Sequence, residues 1–381
     1  MSSNLHIAHL TSAHPRFDTR VFAKMCTSVV AKGWHCSLVV ADGKGDAQKD
    51  GVHIYDIGKP ANRFQRMVSA TYHVYRKARH LKADIYHLHD PELLPVGYLL
   101  HLAGSKVIFD SHEDYPKQIK DRDYLPKALL SLISLMLSML EQFCCKRFDG
   151  VITATPLIAE KFDKFTDHVL AIHNYPILKE FSESVSQPMS KKDHQFCYVG
   201  NISHHRGILE MVGLMGRLQP DARLALAGHF SERGLRERST QIEGWSRVNE
   251  YGVVDRKKVA EILHQSDVGL LLLHPIPNYV DALPVKLFEY MAAGIPVIAS
   301  DFVLWRQIIE EAGCGIMVDP LNPDSVVEAA LYLMSNPAEA ARMGANGKKA
   351  VHEQFNWSAE EQNLLQFYQT ITSRTIKDFL S

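Results

Sequence analysis

Short apolar runs alternate along the chain with longer segments whose apolar positions recur every three or four residues. Leu5 to Leu10 reads as a strand. Asp18 then caps a helix carrying Val21, Phe22, Met25, Cys26 and Val29, Gly33 ends it, and Cys36 to Ala41 is the next strand. Ile85 to His89, Val107 to Asp110, Val151 to Ala154 and Val169 to His173 continue the series, with helices such as 63–82 and 91–103 between them. A polar stretch at 181–193, rich in Ser and Lys, breaks the rhythm and reads as a linker. The rhythm then restarts with strands at Phe196–Val199, Leu224–Ala227, Val248–Tyr251, Val268–Leu273, Pro296–Ala299 and Gly315–Val318, and Trp357 through Tyr368 is helical. Such alternation predicts doubly wound parallel sheets with ligands at the carboxyl ends of their strands. The 381 residues exceed what one core accommodates, so two α/β domains are expected, 1–180 and 194–356, with a final helix over 357–381.

Lys plus Arg is 42 and Asp plus Glu is 43, and this balance leaves no electrostatic footprint for nucleic acid. The six cysteines, at 26, 36, 144, 145, 197 and 314, show no zinc-site or disulfide-framework spacing and read as reduced, buried thiols of a cytoplasmic protein. The start of the chain shows no basic region followed by an apolar run, so no secretion signal is expected. The apolar run Ala128 to Leu140 is short of the ~20 residues that span a bilayer. It reads as a helix packed in the first domain or, alternatively, as an in-plane membrane contact with Leu and Met on the lipid side.

Chemistry concentrates in 281–299. Asp281 can cap a helix, Pro284 falls in its first turn, Gly294 is its left-handed stop, and Val297-Ile298-Ala299 is a buried strand. The first-turn amides and the helix dipole make an anion site. Lys286 and Glu289 share a face, which suits a diphosphate followed by a ribose. Asp281 and Glu289 are eight apart, about 12 Å of helix rise, roughly the reach from a bound sugar to a ribose.

This segment resembles the signature helix of retaining glycosyltransferases of family 4, whose fold is the two-domain GT-B. The family pattern is two glutamates separated by seven residues and then a Gly-x-Pro-Val run. Glu289 matches the second glutamate, and Asp281, a shortened carboxylate, matches the first. The resemblance implies a nucleotide diphosphate sugar as co-substrate, Asp281 facing the donor sugar, Glu289 holding the ribose, and Leu283 and Val285 lining the donor. It also implies a last helix that crosses back to the first domain.

Other strand ends fit the same scheme. Tyr198 to Gly207 leaves the first strand of the second domain; Gly200 permits close backbone approach and Arg206 can hold a diphosphate, although a plain turn with a surface arginine is the other reading. By resemblance Asn201 stands where the family carries an arginine, and Arg206 matches its lysine. His112 matches the histidine beside the donor sugar, with a capping role as the alternative. Gly228 and Val253 end two further strands and by resemblance line the nucleotide. Arg16 and Arg20 flank a helix start and could contact a donor or acceptor diphosphate, or could be surface charges. His87 and His89 face the same way on a strand, as a metal pair would, but no third ligand is evident from spacing, and a polar strand end is favoured. Asp121 and Asp123 form an Asp-x-Asp in a charged loop and read as solvated.

The resemblance thus implies retaining transfer of a sugar from a UDP- or GDP-linked donor to a hydroxyl, with no metal and no other cofactor. The implied acceptor is a lipid-diphosphate-linked glycan of surface polysaccharide biosynthesis, with a peripheral contact at the inner membrane face. A nucleotide-sugar 2-epimerase of the same fold is a second reading, and a non-catalytic nucleotide-sugar-binding subunit a third.

Overall fold

The computed structural model describes residues 4–120, 126–182 and 194–378, with side chains to 373. Asp121, Asp123 and most of the polar stretch lie outside the described residues. The chain divides into two units, 1–174 with 358–381, and 175–357. Residues 175–180, grouped with the first domain by sequence, belong to the second unit. Tyr175 is buried there against Phe288 and Phe355, at ring-centroid distances of 4.7 and 5.5 Å.

The first unit holds β1 (His6–Leu10), β2 (His35–Val40), β3 (Ala47–Lys49), β4 (Val52–Asp56), β5 (Ile85–Leu88), β6 (Lys106–Ser111), β7 (Gly150–Thr153) and β8 (Val169–Ala171). Their order is β3-β4-β2-β1-β5-β6-β7-β8, parallel except for the β3–β4 hairpin. That hairpin was not expected from the hydrophobic pattern. Its signal is Asp50-Gly51, both at positive φ (49° and 78°), the backbone of a two-residue hairpin turn. The expected first helix forms, with Asp18 Oδ1 accepting from the amides of Arg20 and Val21 at 2.8 and 2.9 Å. Residues of the final helix, Trp357–Asp378, pack in this unit: Phe367 lies over Gly150 and the Tyr368 hydroxyl meets His87 Nδ1 at 2.7 Å.

Helix Lys127–Cys145 is only partly a core helix. Leu130, Ser134, Glu141, Cys144 and Cys145 form its buried stripe, whereas Leu132, Leu135, Met136 and Met139 are more than half exposed (53–59%). By length and composition it is apolar enough to cross a membrane.

The second unit holds β9 (His194–Val199), β10 (Ala222–Ala227), β11 (Val248–Gly252), β12 (Val268–Leu271), β13 (Val297–Ser300) and β14 (Gly315–Val318), all parallel in the order β11-β10-β9-β12-β13-β14. One apolar layer packs helices Arg256–His264, Val285–Ala293 and Val303–Ala312 on this sheet, and a second layer packs Ile208–Arg217 and Pro323–Ser335 on its other face. The chain leaves β9 toward one neighbour and returns on its other side as β12, so the crevice beyond these strand ends is where such a sheet binds ligands.

Candidate functional site

Three strand ends of the second unit bring glycines together. Gly200 (φ 135°) donates its N–H to Ala227 O, and Gly228 (φ 149°) donates to Gly252 O, each at 2.8 Å. A Cβ on Gly228 would fall 1.7 Å from Gly200 O, a backbone clash, and one on Gly200, itself at positive φ, would fall 2.5 Å from Lys286 Cε and displace that side chain. The Lys286 stem therefore lies directly on the bare backbone of Gly200, with its Nζ 5.3 Å from the centre of the Tyr198 ring. Arg206 reaches the same place from the loop after β9. Its Nε donates to the Tyr279 hydroxyl at 3.2 Å.

Two cations thus share one desolvated pocket. Burial, and next the Arg206 guanidinium, push Lys286 down to about 7, while Glu289 opposes the shift. Burial pushes the Tyr198 phenol up to about 12 against the pull of Arg206. An anion placed between these two groups would relieve their repulsion.

Helix Val285–Ala293 begins at this site. Its N-cap is Pro284, no side chain caps it, and Gly294 (φ 76°) ends it as expected. Asp281 does not cap it, contrary to the sequence expectation; it is the C-cap of the short helix Pro277–Val280. Residues 281–284 form a loop, pinned where Trp305 Nε1 donates to Ala282 O at 2.7 Å, so the helical estimate of the Asp281-to-Glu289 separation does not apply. Leu283 packs half-buried on the core, and Val285 opens the helix. Glu289, 6% exposed, is held by Arg256 at 2.7 Å, and Arg256 in turn pairs with Glu180 at 2.6 Å. Asn201 is exposed, with its carbonyl accepting from the Tyr198 hydroxyl at 2.7 Å, and Val253, just past β11, is 78% exposed.

In the first unit His112 follows β6, and its Nε2 meets Asp110 Oδ2 at 3.0 Å. Asp110 is fully buried, and Arg20 and His112 hold its carboxyl well below the usual range despite that burial. With Nε2 engaged, Nδ1 is the His112 ring atom left for another partner.

The Glycosyltransferase Family 4 model matches residues 19–174 and the Glycosyl transferases group 1 model matches 180–350. The chain belongs to glycosyltransferase family 4. It is 26% identical to a phosphatidyl-myo-inositol mannosyltransferase of Mycolicibacterium smegmatis over 42% of this chain and 39% of that one. In structure it is similar to a sucrose-phosphate synthase of Thermosynechococcus elongatus (TM-score 0.78, 18% identity, 97% of this chain and 100% of that one). It is also similar to an Anabaena protein crystallised with UDP-glucose (TM-score 0.72, 15% identity, 96% and 100%). The two parallel-sheet units are those of a GT-B fold.

The two arginines of this glycosyltransferase proposed as phosphate contacts have other partners. Arg16 makes a bidentate pair with Asp42 (2.6 and 2.5 Å) and donates to Gly45 O at 3.0 Å. Arg20 makes one with Asp110 (3.0 and 2.9 Å) and donates to Ile172 O at 2.7 Å. Both side chains are buried, so the fold already satisfies these guanidiniums. Sequence reasoning missed Arg256, which lies 33 residues from Glu289, opens its own helix and has no motif around it. It also missed Asp110, whose sequence signal was only a carboxylate two residues before His112.

Proposed function

We propose that this glycosyltransferase moves a sugar, with retention, from a nucleotide diphosphate sugar to a hydroxyl of a lipid-diphosphate-linked glycan. The step would serve O-antigen, capsule or exopolysaccharide synthesis at the cytoplasmic face of the inner membrane. The observation that carries this reading is the convergence of Lys286 and Arg206 over Gly200, beside an uncapped helix start. Two cations and oriented amides can stabilise the diphosphate as it leaves, so the donor is expected to react without a metal. The leaving phosphate oxygen would take the proton of the incoming hydroxyl on the same face of the sugar. Asp281 and His112 are assigned to sugar hydroxyls and Glu289 to the ribose. The Anabaena complex supports UDP-linked donors. The mannosyltransferase, named for a phosphatidyl-myo-inositol acceptor, supports a lipid one.

A groove of about 1240 Å³ within the first unit supports the acceptor class. It is lined by Asp90, His112 and Glu113 and by Met67, Met136 and Leu140, a mixture suited to a polar head carrying an apolar tail.

The test is incubation with UDP- and GDP-sugars and lipid-diphosphate glycans, followed by nucleotide release and the anomeric configuration of the product. Nucleoside diphosphate released only with acceptor, and an α-linked product from an α-donor, is the expected result. Isomerised donor without acceptor would make the protein an epimerase, and donor binding with neither outcome a binding subunit.

Lys286 adds a pH signature. A free amine at about 7 must be protonated to face a diphosphate. Above that pH, nucleoside diphosphate binding should take up a proton and weaken about tenfold per unit. The unfolded lysine holds its proton up to about 10.5, so this group's contribution to stability increases as pH rises from about 7 to that value. Calorimetry at pH 8 in buffers of different ionisation enthalpy reads the uptake directly; equal heats in all buffers would remove Lys286 from the diphosphate.

A further inference from the structure

Three neighbouring strands of the first sheet, β2, β1 and β5, bring Cys36, His9 and His87 to one face, with His89 further along β5. Cys26 approaches that face from the π-helical segment Val21–Cys26, a backbone form often found at functional sites, and Tyr368 approaches from the final helix. His9, His87, His89, Cys26 and Cys36 are all buried, none more than 1% exposed. The ligand atoms of His9, Cys26 and Cys36 lie within 4.8 Å of one another, as do those of His9, His87 and His89.

The hydrogen bonds fix which imidazole atoms are available. His89 Nδ1 lies 3.3 Å from both Asp110 Oδ2 and His112 Nε2; with its proton on Nδ1, facing the carboxylate, His89 Nε2 is an acceptor. It therefore receives Nδ1–H of His9 at 2.9 Å. His9 Nε2 is left with a bare lone pair. His87 Nδ1 is engaged with the Tyr368 hydroxyl at 2.7 Å. Both remaining nitrogens, His9 Nε2 and His87 Nε2, are buried without a hydrogen-bond partner. Buried polar atoms in folded proteins ordinarily have one.

We propose that His9, Cys26 and Cys36 form a structural site for a thiophilic divalent cation, zinc foremost, with His87, which lies beside His9 and not beside the thiols, turning in as fourth ligand. The two thiols release their protons on binding, and the resulting thiolates balance the dication against two neutral imidazoles, so the core gains no net charge. Zinc–sulfur and zinc–nitrogen bonds of about 2.3 and 2.0 Å place tetrahedral ligand atoms roughly 3.3–3.8 Å apart. His9, Cys26 and Cys36, whose ligand atoms lie within 4.8 Å of one another, reach that by about an ångström of side-chain movement, and His87, grouped with His9 and His89, moves further. Each histidine's other nitrogen already has the outer partner that metal-bound imidazoles use, His89 backed by Asp110 in one case and Tyr368 in the other. Four protein ligands leave no open position, so the ion holds β1, β2, β5 and the first helix together and takes no part in sugar transfer.

The test needs no glycosyltransferase activity, so its failure is separate from failure of the proposed reaction. Full-length protein purified anaerobically from zinc-supplemented cells should carry about one zinc per chain by mass spectrometry of the metal. Cobalt(II) added to the metal-free, reduced protein should give thiolate-to-cobalt charge-transfer absorption. Cys26→Ser with Cys36→Ser should abolish that band, and His87→Gln should weaken it. Folded wild-type protein with neither zinc nor a cobalt band would overturn the proposal, whether or not the variants fold, and so would a Cys26–Cys36 disulfide in the anaerobic preparation.

Discussion

Lys286→Ala is expected to lower kcat by about 10²–10³-fold, the usual effect of removing one preorganised group that stabilises developing negative charge. The Lys286 amine and the Arg206 guanidinium share one half-buried pocket at Gly200, and a diphosphate would satisfy both. The same crowding predicts what happens to the fold. Removing a half-buried amine beside a guanidinium relieves desolvation and repulsion, so the melting temperature of Lys286→Ala should hold or rise. Activity and stability then move apart, a pattern that general disruption does not produce. Arg206→Ala should lower turnover similarly, whereas Ser203→Ala should not. Full turnover in both charge-deletion variants would remove these residues from leaving-group stabilisation.

Glu289→Ala should weaken nucleotide-sugar binding by about 10–100-fold, the range for losing a hydrogen bond to a charged, buried acceptor. Glu289 is positioned by more than its own helix. Arg256 grips its carboxylate at 2.7 Å and is itself steadied by Glu180 at 2.6 Å. Arg256→Ala should therefore also weaken the donor, by leaving a buried carboxylate unpaired and free to reorient. In Glu289→Ala, Arg256 keeps Glu180, so the fold should tolerate the change. Titration with UDP and with the matching 2′-deoxyribose nucleotide separates the roles: the wild type should discriminate between them and Glu289→Ala should not. Unchanged donor affinity in Glu289→Ala would remove it from the ribose.

Much of the second unit was legible because its signals are local. Gly200, Gly228 and Gly294 occupy positive-φ positions that a sequence reader can anticipate at strand and helix ends, and Lys286 and Glu289 are related by helical spacing alone. Asp281 was misread because no local rule fixes where a helix begins when Pro284 takes the N-cap. The β3–β4 hairpin was missed because β3 is wholly exposed and gives no apolar pattern.

Sequence alone determined the alternation of strands and helices, the two-unit α/β character and the helix that sets Lys286 and Glu289 on one face, because each depends on periodicity or on residues a few positions apart. Tertiary structure decided which charges are available. It paired Arg16 with Asp42 and Arg20 with Asp110, put Arg256 on Glu289, and set His9 beside His87 on one side and Cys26 and Cys36 on the other. The physical reason is range. A buried charge or lone pair must find a partner, and that partner is chosen by the packing of strands far apart in the chain, which spacing in the sequence does not encode.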